Sequence, residues 1–322
     1  MAGRIHKVLA ALSLGATAMV ALPQVQSHAQ TSTLQDRRNL ALQQQVQAIA
    51  AQSRSRVGIA AVDLDGGGEV FVNPDMPFPM ASTAKVAVAA TFLQGVEEGR
   101  FRLDQQLPMM FPVAEAPSAR GPVARVRPGA VMSAQQLMEL MITRSNNNAT
   151  DGLIAAVGGP SAVNKWLGRA GISGQRLDHT MATLVRDDGR VDPGRVIETR
   201  TSSTPRAMVS LLAAIDRGGA LAPQSRAVLL DTMTRTSTGK NRMRAGLPEG
   251  TLFAHKTGTL RGVTADVGII RLSDGRHLAL AVFTAGSEPH ASQAALISRV
   301  TRTVYEGFSQ PVARTNIDIA RR

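Results

Sequence analysis

The apolar residues of this chain follow one pattern near its two ends and another in its middle, and that difference limits the folds it can adopt. Five short apolar runs, bounded by turn residues, are typical of β-strands. The predicted strands are residues 57–62, 69–72, 252–257, 264–272 and 277–283. The segment between them has helical spacing instead. We therefore expect an α/β (α+β) protein, in which an antiparallel sheet comes from both chain ends and an all-helical region is inserted.

Helical periodicity covers most of the remaining chain. The predicted helices are residues 37–52, 84–99, 133–143, 149–157, 161–170, 205–218, 223–234 and 289–306. Residues 110–129, which hold four prolines and three arginines, are expected to be an irregular surface stretch. The chain thus divides into a sheet lobe (about 37–75 and 225–308), a helical lobe (about 76–224) and a flexible tail (309–322).

Residues 1–29 are typical of a secretory signal peptide. Arg4 and Lys7 supply a positive start, an apolar run too short and too interrupted to span a bilayer follows, and small residues occupy both cleavage positions. A loose polar segment, residues 30–34, comes next. We expect an exported protein, periplasmic or secreted, with no membrane association after cleavage; an uncleaved membrane anchor is the alternative.

Composition argues against several classes of protein. The chain has no cysteine, hence no disulfide and no thiolate metal site. It also has no spaced cluster of histidines and acidic residues, so no metal and no cofactor are expected. The formal net charge is +12, but the basic residues are scattered and lack interleaved aromatics, which argues against nucleic-acid binding. The charge either solvates the surface or attracts the protein to an anionic envelope. We expect a monomer.

Ser82-Thr83-Ala84-Lys85 opens a helix that is apolar nearly all round, and such a helix lies at the centre of a domain. Ser82 and Lys85 are three positions apart, so their side chains share one face. A serine becomes a good nucleophile when a base takes its proton, and a lysine whose pKa is lowered by burial can be that base. A capping serine followed by a surface lysine is the simpler alternative.

A second motif, Ser145-Asn146-Asn147, follows the end of a predicted helix. The hydroxyl of Ser145 could relay a proton to a leaving nitrogen, and the amide of Asn147 could hold a substrate amide. Serine and asparagine are also common where helices end, so this motif alone is equally explained by turn chemistry.

A third motif, Lys256-Thr257-Gly258, ends an apolar strand and is followed by Thr259. Lys256 could bind a substrate carboxylate, and Gly258 would let the substrate backbone approach. A lysine on an edge strand is the simpler alternative. The three motifs in this order form a set for serine acyl transfer.

With these motifs, the chain resembles the class A serine β-lactamases over roughly residues 37–308. The resemblance is specific, because it extends to segments that flank the motifs and that related penicillin-binding proteins do not share. The flanking segments are Phe78-Pro79-Met80-Ala81, Met141-Ile142-Thr143-Arg144, Val157-Gly158-Gly159-Pro160, Arg244-Ala245-Gly246-Leu247-Pro248 and Asp266-Val267-Gly268-Ile269-Ile270.

The resemblance implies a β-lactam or a related acyl compound as substrate, and a role for each motif residue. Ser82 would be the nucleophile that is acylated, and Lys85 its base partner. Ser145 would protonate the β-lactam nitrogen. Asn147 would bind the acylamide side chain of the substrate.

It also implies how the substrate is held. Lys256 and Thr257 would bind the substrate carboxylate, with Arg242 as a candidate second anchor. The backbone N–H groups of Ser82 and Thr259 would form the oxyanion hole, aimed at the charge that develops in the tetrahedral state.

The chain departs from the family in the loop that normally carries the deacylating glutamate. Arg176-Leu177-Asp178 opens this loop, but Met181 occupies the place of the glutamate, and a thioether cannot activate water. Val185 stands where an asparagine is expected. The loop then runs on to Pro205, several residues longer than usual.

Two further departures concern structural carboxylates. The Arg–Asp pair that pins the loop in the family is missing, and its positions correspond to His179 and Thr201. Asn146 replaces the aspartate of the second motif, so a buried carboxylate is lost there as well.

Several functions are compatible with these departures. The longer loop could supply a replacement base from Asp187, Asp188 or Glu198, giving a working β-lactamase, or no base exists and the acyl-enzyme persists. An esterase, an amidase or a D-Ala-D-Ala peptidase using the same serine is a second possibility. A penicillin-binding protein or sensor that acylates once, without turnover, is a third.

Overall fold

The computed structural model describes residues 24–310 except 117 and 119, with side chains from residue 35 onward. Residues 1–23 of the predicted signal peptide and residues 311–322 of the predicted tail lie outside the described residues. Within the described range, no helix is long and apolar enough to cross a membrane.

Two terminal helices, α1 (Gln24–Ala51) and α9 (His290–Ser309), pack on each other and cover one face of the main sheet. Helix α1 begins well before the predicted helix. The expectation of a loose segment at residues 30–34 is wrong, because no proline or glycine interrupts the chain between Gln24 and Ala51.

The main sheet contains the five predicted strands. They are β1 (Arg56–Asp63), β2 (Glu69–Val72), β8 (Phe253–Leu260), β9 (Val263–Arg271) and β10 (His277–Ala285). All neighbours are antiparallel, in the order β2-β1-β10-β9-β8. Pairing of β1 with β10 joins the two ends of the chain, as the sequence predicts. Ile59 of β1 packs under α1 and α9, while its neighbour Ala60 faces the larger helical core. Because both faces are covered, the strands are nearly continuous apolar runs.

Helix α2 (Lys85–Glu97) lies at the centre of the helical part and is buried along most of its length. Four helices pack around it, which explains why it is apolar on all sides. They are α3 (Ala134–Thr143), α4 (Asn147–Val157), α5 (Pro160–Arg169) and α8 (Pro223–Thr234). Ser133 caps α3 in a reciprocal arrangement with Gln136. The assignment of domain boundaries within this architecture stays a prediction.

Residues 110–129 are more regular than predicted. Strands β4 (Gln106–Pro112) and β5 (Val126–Ser133) pair as an antiparallel hairpin with an irregularity between Pro108 and Met110. Proline lacks the N–H that a central strand needs. It is tolerated here because each strand of a two-stranded hairpin pairs on one side only.

A three-stranded sheet holds the base of the loop at residues 179–204. Strand β7 (Ser202–Ser203) pairs with both β3 (Phe78–Pro79) and β6 (Gln175–Arg176). A short helix, α6 (Met181–Arg186), follows β6, and α7 (Pro205–Asp216) returns from the loop to pack on the main sheet. Two-residue strands leave no periodic signal, so the sequence did not predict them.

Candidate active site

Ser82 and Lys85 lie where the chain enters α2, and the turn gives them different surroundings. Residues Ala81–Ala84 form one 3-10 turn that leads into the helix, and Ala81 has a left-handed backbone conformation with φ of +49°. Such a conformation is uncommon outside glycine and is often found at functional sites. Ser82 remains partly exposed, whereas Lys85 is completely buried. The candidate nucleophile is therefore open to a ligand and its partner amine is not.

The Lys85 amine contacts the second motif. Its Nζ donates to the backbone oxygen of Ser145 (2.7 Å), to Ser145 Oγ (3.1 Å) and to Asn147 Oδ1 (2.7 Å). Three acceptors match the three donors of a protonated lysine, and Ser82 is not among them. Catalytic hydrogen bonds are often long or absent before substrate binds, so the predicted Ser82–Lys85 pairing stays a prediction.

Ser145 Oγ lies between two lysine side chains. Lys256 Nζ donates to it at 3.0 Å, close to the 3.1 Å from Lys85 Nζ. The backbone of Ser145 is left-handed (φ +55°), and the next residue, Asn146, caps α4 by accepting a hydrogen bond from the N–H of Ala149. Because Ser145 Oγ can accept from both lysines, its own proton is available for a third partner.

Both lysines have lowered pKa values. Burial is the main cause for Lys85, whose pKa falls well below its ordinary value; the charge of Lys256 lowers it further, and Asp151 opposes the shift. Burial lowers the pKa of Lys256 to about 7, with Asp266 raising it and Arg242 lowering it. A neutral amine is therefore accessible near neutral pH, and a neutral amine can accept a proton.

Strand β8 is an outer strand of the main sheet, and its last residues lie beside the turn that carries Ser82. A Cβ on Gly258 would lie 2.6 Å from the backbone oxygen of Met80, so this close approach requires glycine. Thr257 Oγ1 shares a hydrogen bond of 2.6 Å with Thr238 Oγ1, and Thr259 is exposed. The two segments that carry the predicted oxyanion-hole N–H groups are thus neighbours.

Arg242 braces the end of β8. Its Nη1 donates to the backbone oxygens of Gly258 and Ala265, both at 2.9 Å, and its Nη2 donates to Thr259 Oγ1 at 2.6 Å. These contacts use much of its donor capacity within the protein. Its role as a second anchor for a substrate carboxylate stays a prediction.

His179 and Thr201 do contact each other, although they are not the ion pair of the family. Thr201 Oγ1 lies 3.0 Å from His179 Nδ1 and accepts from the backbone N–H groups of Asp178 and His179, both at 3.1 Å. The loop is therefore held at these positions by hydrogen bonds to the Thr201 hydroxyl, in place of an Arg–Asp ion pair.

A buried carboxylate that the sequence reading missed lies under this loop. Asp151, on α4, accepts the backbone N–H groups of Met181 (2.6 Å) and Ala182 (2.8 Å). Burial raises its pKa to about 6, against the lowering effect of these N–H groups and of Lys85. The sequence held a signal for it, because Asp151 follows Asn147 by four positions and so shares its helix face.

The three carboxylates predicted as replacement bases are all engaged elsewhere. Their contacts are Arg186 Nε to Asp187 (2.9 Å), Arg200 Nη2 to Glu198 (2.7 Å) and the Arg261 backbone N–H to Asp188 (2.9 Å). The hydrogen bond from Arg186 lowers the pKa of Asp187, and the one from Arg200 lowers the pKa of Glu198 to about 2. All three line a cavity of about 230 Å³ under the loop, whose lining contains no residue of the three motifs.

The sequence and the fold both match known proteins. The β-lactamase enzyme family matches residues 41–308 of the chain. The extended-spectrum β-lactamase PER-1 of Pseudomonas aeruginosa is 30% identical over 274 residues, which cover 82% of this chain and 86% of that protein.

Two solved structures have the same fold. A β-lactamase from Chitinophaga pinensis superposes with a TM-score of 0.73 at 29% identity, covering 83% of this chain and 98% of the other. A mutant of PBP-A, solved as an acyl-enzyme complex with penicillin G, superposes with a TM-score of 0.68 at 30% identity, covering 84% and 96%. The chain belongs to the β-lactamase enzyme family, which confirms the predicted resemblance and fold class.

Proposed function

We propose that this protein is a serine β-lactamase-like hydrolase that opens the β-lactam ring through an acyl-enzyme on Ser82. The observation that carries the proposal is the convergence of Lys85 Nζ and Lys256 Nζ on Ser145 Oγ, at 3.1 and 3.0 Å, with Lys85 on the turn that presents the partly exposed Ser82. Two buried amines and one hydroxyl form a path along which a proton can move from the nucleophile to a leaving nitrogen.

Acylation would proceed in two proton-coupled steps. Ser82 Oγ attacks the lactam carbonyl as neutral Lys85 accepts its proton, and the N–H groups of Ser82 and Thr259 stabilise the oxyanion. The carbon–nitrogen bond of the ring then breaks, and the nitrogen takes the proton of Ser145 Oγ. Lys85 or Lys256 restores that proton, since both lie within hydrogen-bond distance of the hydroxyl.

Substrate binding would use the free side of β8 and the groups around it. Lys256 and Thr257 would attract the substrate carboxylate, and Gly258 would let the substrate backbone pair with the strand. Asn147 would bind the acylamide group after exchanging its hydrogen bond with Lys85 for one with the substrate.

Deacylation is expected to be slow. Met181 offers no base, and the loop carboxylates are held by arginines or by a backbone N–H, with the pKa of Asp187 and of Glu198 lowered. Absence of a general base typically costs about 10²–10⁴-fold in rate. A penicillin-binding protein that acylates with little turnover is therefore the second candidate, and the similarity to PBP-A in its penicillin acyl-enzyme complex favours it.

Intact-mass spectrometry over time, with benzylpenicillin and a chromogenic cephalosporin, tests both candidates. We expect a covalent adduct on the wild-type protein and none on Ser82→Ala. An adduct that decays while product accumulates supports a hydrolase, and a lasting adduct supports the second candidate. An adduct that survives Ser82→Ala would show that the nucleophile is misassigned.

We also propose that the protein is exported as a monomer after removal of residues 1–29. The positive start and the interrupted apolar run of this segment support export. Cell fractionation, with the intact mass of the recovered protein, tests the cleavage site; recovery of the full-length chain from the membrane fraction would contradict it.

A further inference from the structure

Residues 188–196 of the loop, the strap, lie across one end of the main sheet. A Cβ on Gly262 would lie 3.0 Å from Pro193 Cγ, and a Cβ on Gly194 would lie 3.2 Å from the Cα of Gly286, which follows β10. Distances this short leave no room for side chains at Gly262 and Gly194. The strap therefore packs directly against the β8–β9 turn and the end of β10.

Asp188, at the start of the strap, holds the β8–β9 turn (residues 260–263). Its Oδ1 and Oδ2 both accept the backbone N–H of Arg261, at 2.9 and 3.1 Å. The side chain of Arg261 lies against Gly189, where φ is +80° and an added Cβ would be 2.8 Å from Arg261 Cδ. A hydrogen bond to an ionised carboxylate is roughly twice as strong as one between neutral groups. Asp188 thus provides a charge-assisted contact between the strap and the turn.

The turn and the strap are also held from the side of the sheet. Gln293 of α9 is 1% exposed; its Nε2 donates to the backbone oxygen of Gly262 at 3.3 Å, and its Oε1 accepts from Thr264 Oγ1 at 2.6 Å. Arg56 of β1 donates to two backbone oxygens of the strap. The turn therefore lies between a buried amide and an exposed carboxylate, and the strap that carries this carboxylate is bonded to the sheet.

The turn continues directly from the end of β8 that carries Thr259. Thr259 pairs with Thr264 of β9, one pair before the strands end, and the N–H that Asp188 accepts is two residues further along. A donor in an oxyanion hole must lie about 2.7–3.1 Å from the oxygen, so a small displacement of β8 weakens its hydrogen bond. A contact that fixes the turn therefore also restrains the Thr259 N–H.

We propose that Asp188 is a positioning residue for acylation: by holding the N–H of Arg261, it fixes the end of β8 and the Thr259 N–H that would stabilise the oxyanion. The proposal rests on the proposed function in taking Thr259 as that donor. It gives Asp188 a role other than that of a replacement base, and it gives the long loop a part in a reaction for which Met181 offers no base.

Stopped-flow acylation with a chromogenic cephalosporin over a range of concentrations tests this role, since it separates the binding constant from the acylation rate constant. An oxyanion contact forms in the transition state, so Asp188→Ala should lower the rate constant and leave the binding constant unchanged. The donor is loosened and not lost, so we expect a decrease of about tenfold, against about 10²–10³-fold for removal of a donor. In Asp188→Asn, the amide oxygen can still accept the Arg261 N–H and should restore most of the rate.

Asp192→Asn is the matched control. Asp192 is also an exposed carboxylate of the strap, but it accepts the N–H of Gly194 at 2.8 Å, within the strap. The variant removes the same charge, and its acylation rate constant should equal that of wild type. An equal decrease in Asp192→Asn and Asp188→Ala would show a general effect of the loop charge and would overturn the proposal.

Amide hydrogen exchange gives a readout that needs no substrate. Exchange at Arg261 should accelerate in Asp188→Ala and remain unchanged in Asp192→Asn. Intact-mass spectrometry measures the fraction of protein that forms an adduct, which separates slow acylation from misfolding. Unchanged exchange at Arg261, or a smaller reactive fraction with an unchanged rate constant, would overturn the proposal. So would a longer-lived adduct with unchanged acylation in Asp188→Ala, because Asp188 would then be the base of deacylation.

Failure of the proposed function would look different. If wild-type protein forms no adduct on Ser82 while exchange at Arg261 still accelerates in Asp188→Ala, Asp188 holds the turn, and its role in acylation falls together with the proposed function. If Asp188→Ala forms adducts at the wild-type rate although exchange accelerates, the turn does not position the oxyanion donor. The proposal then falls while the proposed function stands.

Discussion

At the scale of single residues, the site depends on how closely three chain segments approach one another. The turn that carries Ser82, the turn that carries Ser145 and the end of β8 all meet around two lysine amines. Ser145 and Ala81 have left-handed backbones without being glycine, which places strain in the two turns that present the chemistry. Gly258 lies where β8 approaches the turn that carries Ser82 too closely for a side chain.

Gly258→Ala is expected to slow acylation of Ser82 strongly. The added methyl would lie 2.6 Å from the Met80 oxygen, so β8 or the turn must move, and misplacement by about 1 Å can cost about 10²-fold in rate. Stopped-flow acylation with a chromogenic cephalosporin measures the effect. Gly168→Ala on α5, where no atom lies within 4 Å of the added methyl, is the control. Equal rates in Gly258→Ala and wild type would show that this close approach does not position the site.

At the scale of elements, side-chain contacts connect the β4–β5 hairpin to the loop at residues 179–204. Arg186 of α6 bonds to Glu115, which precedes β5, and Thr183 Oγ1 accepts from the N–H of Ala124 at 2.9 Å. The Glu115 side chain is 4% exposed, so this contact is shielded from solvent, unlike the exposed Arg102–Asp104 pair. Removing one partner of a buried ion pair strongly destabilises a protein, whereas an exposed ion pair contributes little to stability.

Glu115→Gln is therefore expected to loosen the hairpin connection and α6 together. Amide hydrogen exchange should increase across residues 113–126 and across α6, because Arg186 loses a charged partner in a shielded position. Asp104→Asn, which breaks the exposed pair, should leave exchange in both segments unchanged. An increase confined to residues 113–126 would show that the hairpin and the loop open independently.

At the scale of the whole molecule, the two cores share the main sheet, and the site lies where helices and sheet meet. Lys85 comes from the helical core, Lys256 from the sheet and Asp151 from the helix packed between α2 and α6. Because ionisable groups are buried at this junction, the free energy of unfolding depends on pH.

Asp151 should make the folded protein more stable in mild acid. Its folded-state pKa of about 6 lies above the unfolded value of about 3.9, so the folded state binds the extra proton between these values. Its contribution is fully present below about pH 4 and is lost as the pH rises through about 6, a total change of about 3 kcal/mol. Guanidinium unfolding of wild type and Asp151→Asn at pH 4.5 and 7.5 measures the difference between the two proteins. The same pH dependence in both would mean that Asp151 titrates normally.

Much of this architecture was predictable from local sequence. The five strands and most helices follow from apolar spacing, and the cap at Ser133 follows from the glutamine three positions later. The predicted approach of a substrate backbone to Gly258 stays a prediction, and the approach of the Met80 oxygen to it was not predicted. The hairpin of β4 and β5 was not predicted, because its prolines are compatible with pairing only once each strand has a free edge. The departures at Met181, His179 and Thr201 were visible in the sequence; their contacts were not.

The sequence by itself determined the family, the order of the motifs and the elements that carry them, because each of these depends on residues close together in the chain. Tertiary structure decided which groups meet. Lys85 contacts Ser145 across 60 positions of the chain, and Lys256 contacts it across 111. Arg242 donates a hydrogen bond to the end of β8, and Asp151 accepts one from the start of α6. Such contacts depend on packing between distant segments, and so do the burial and the neighbouring charges that shift each pKa.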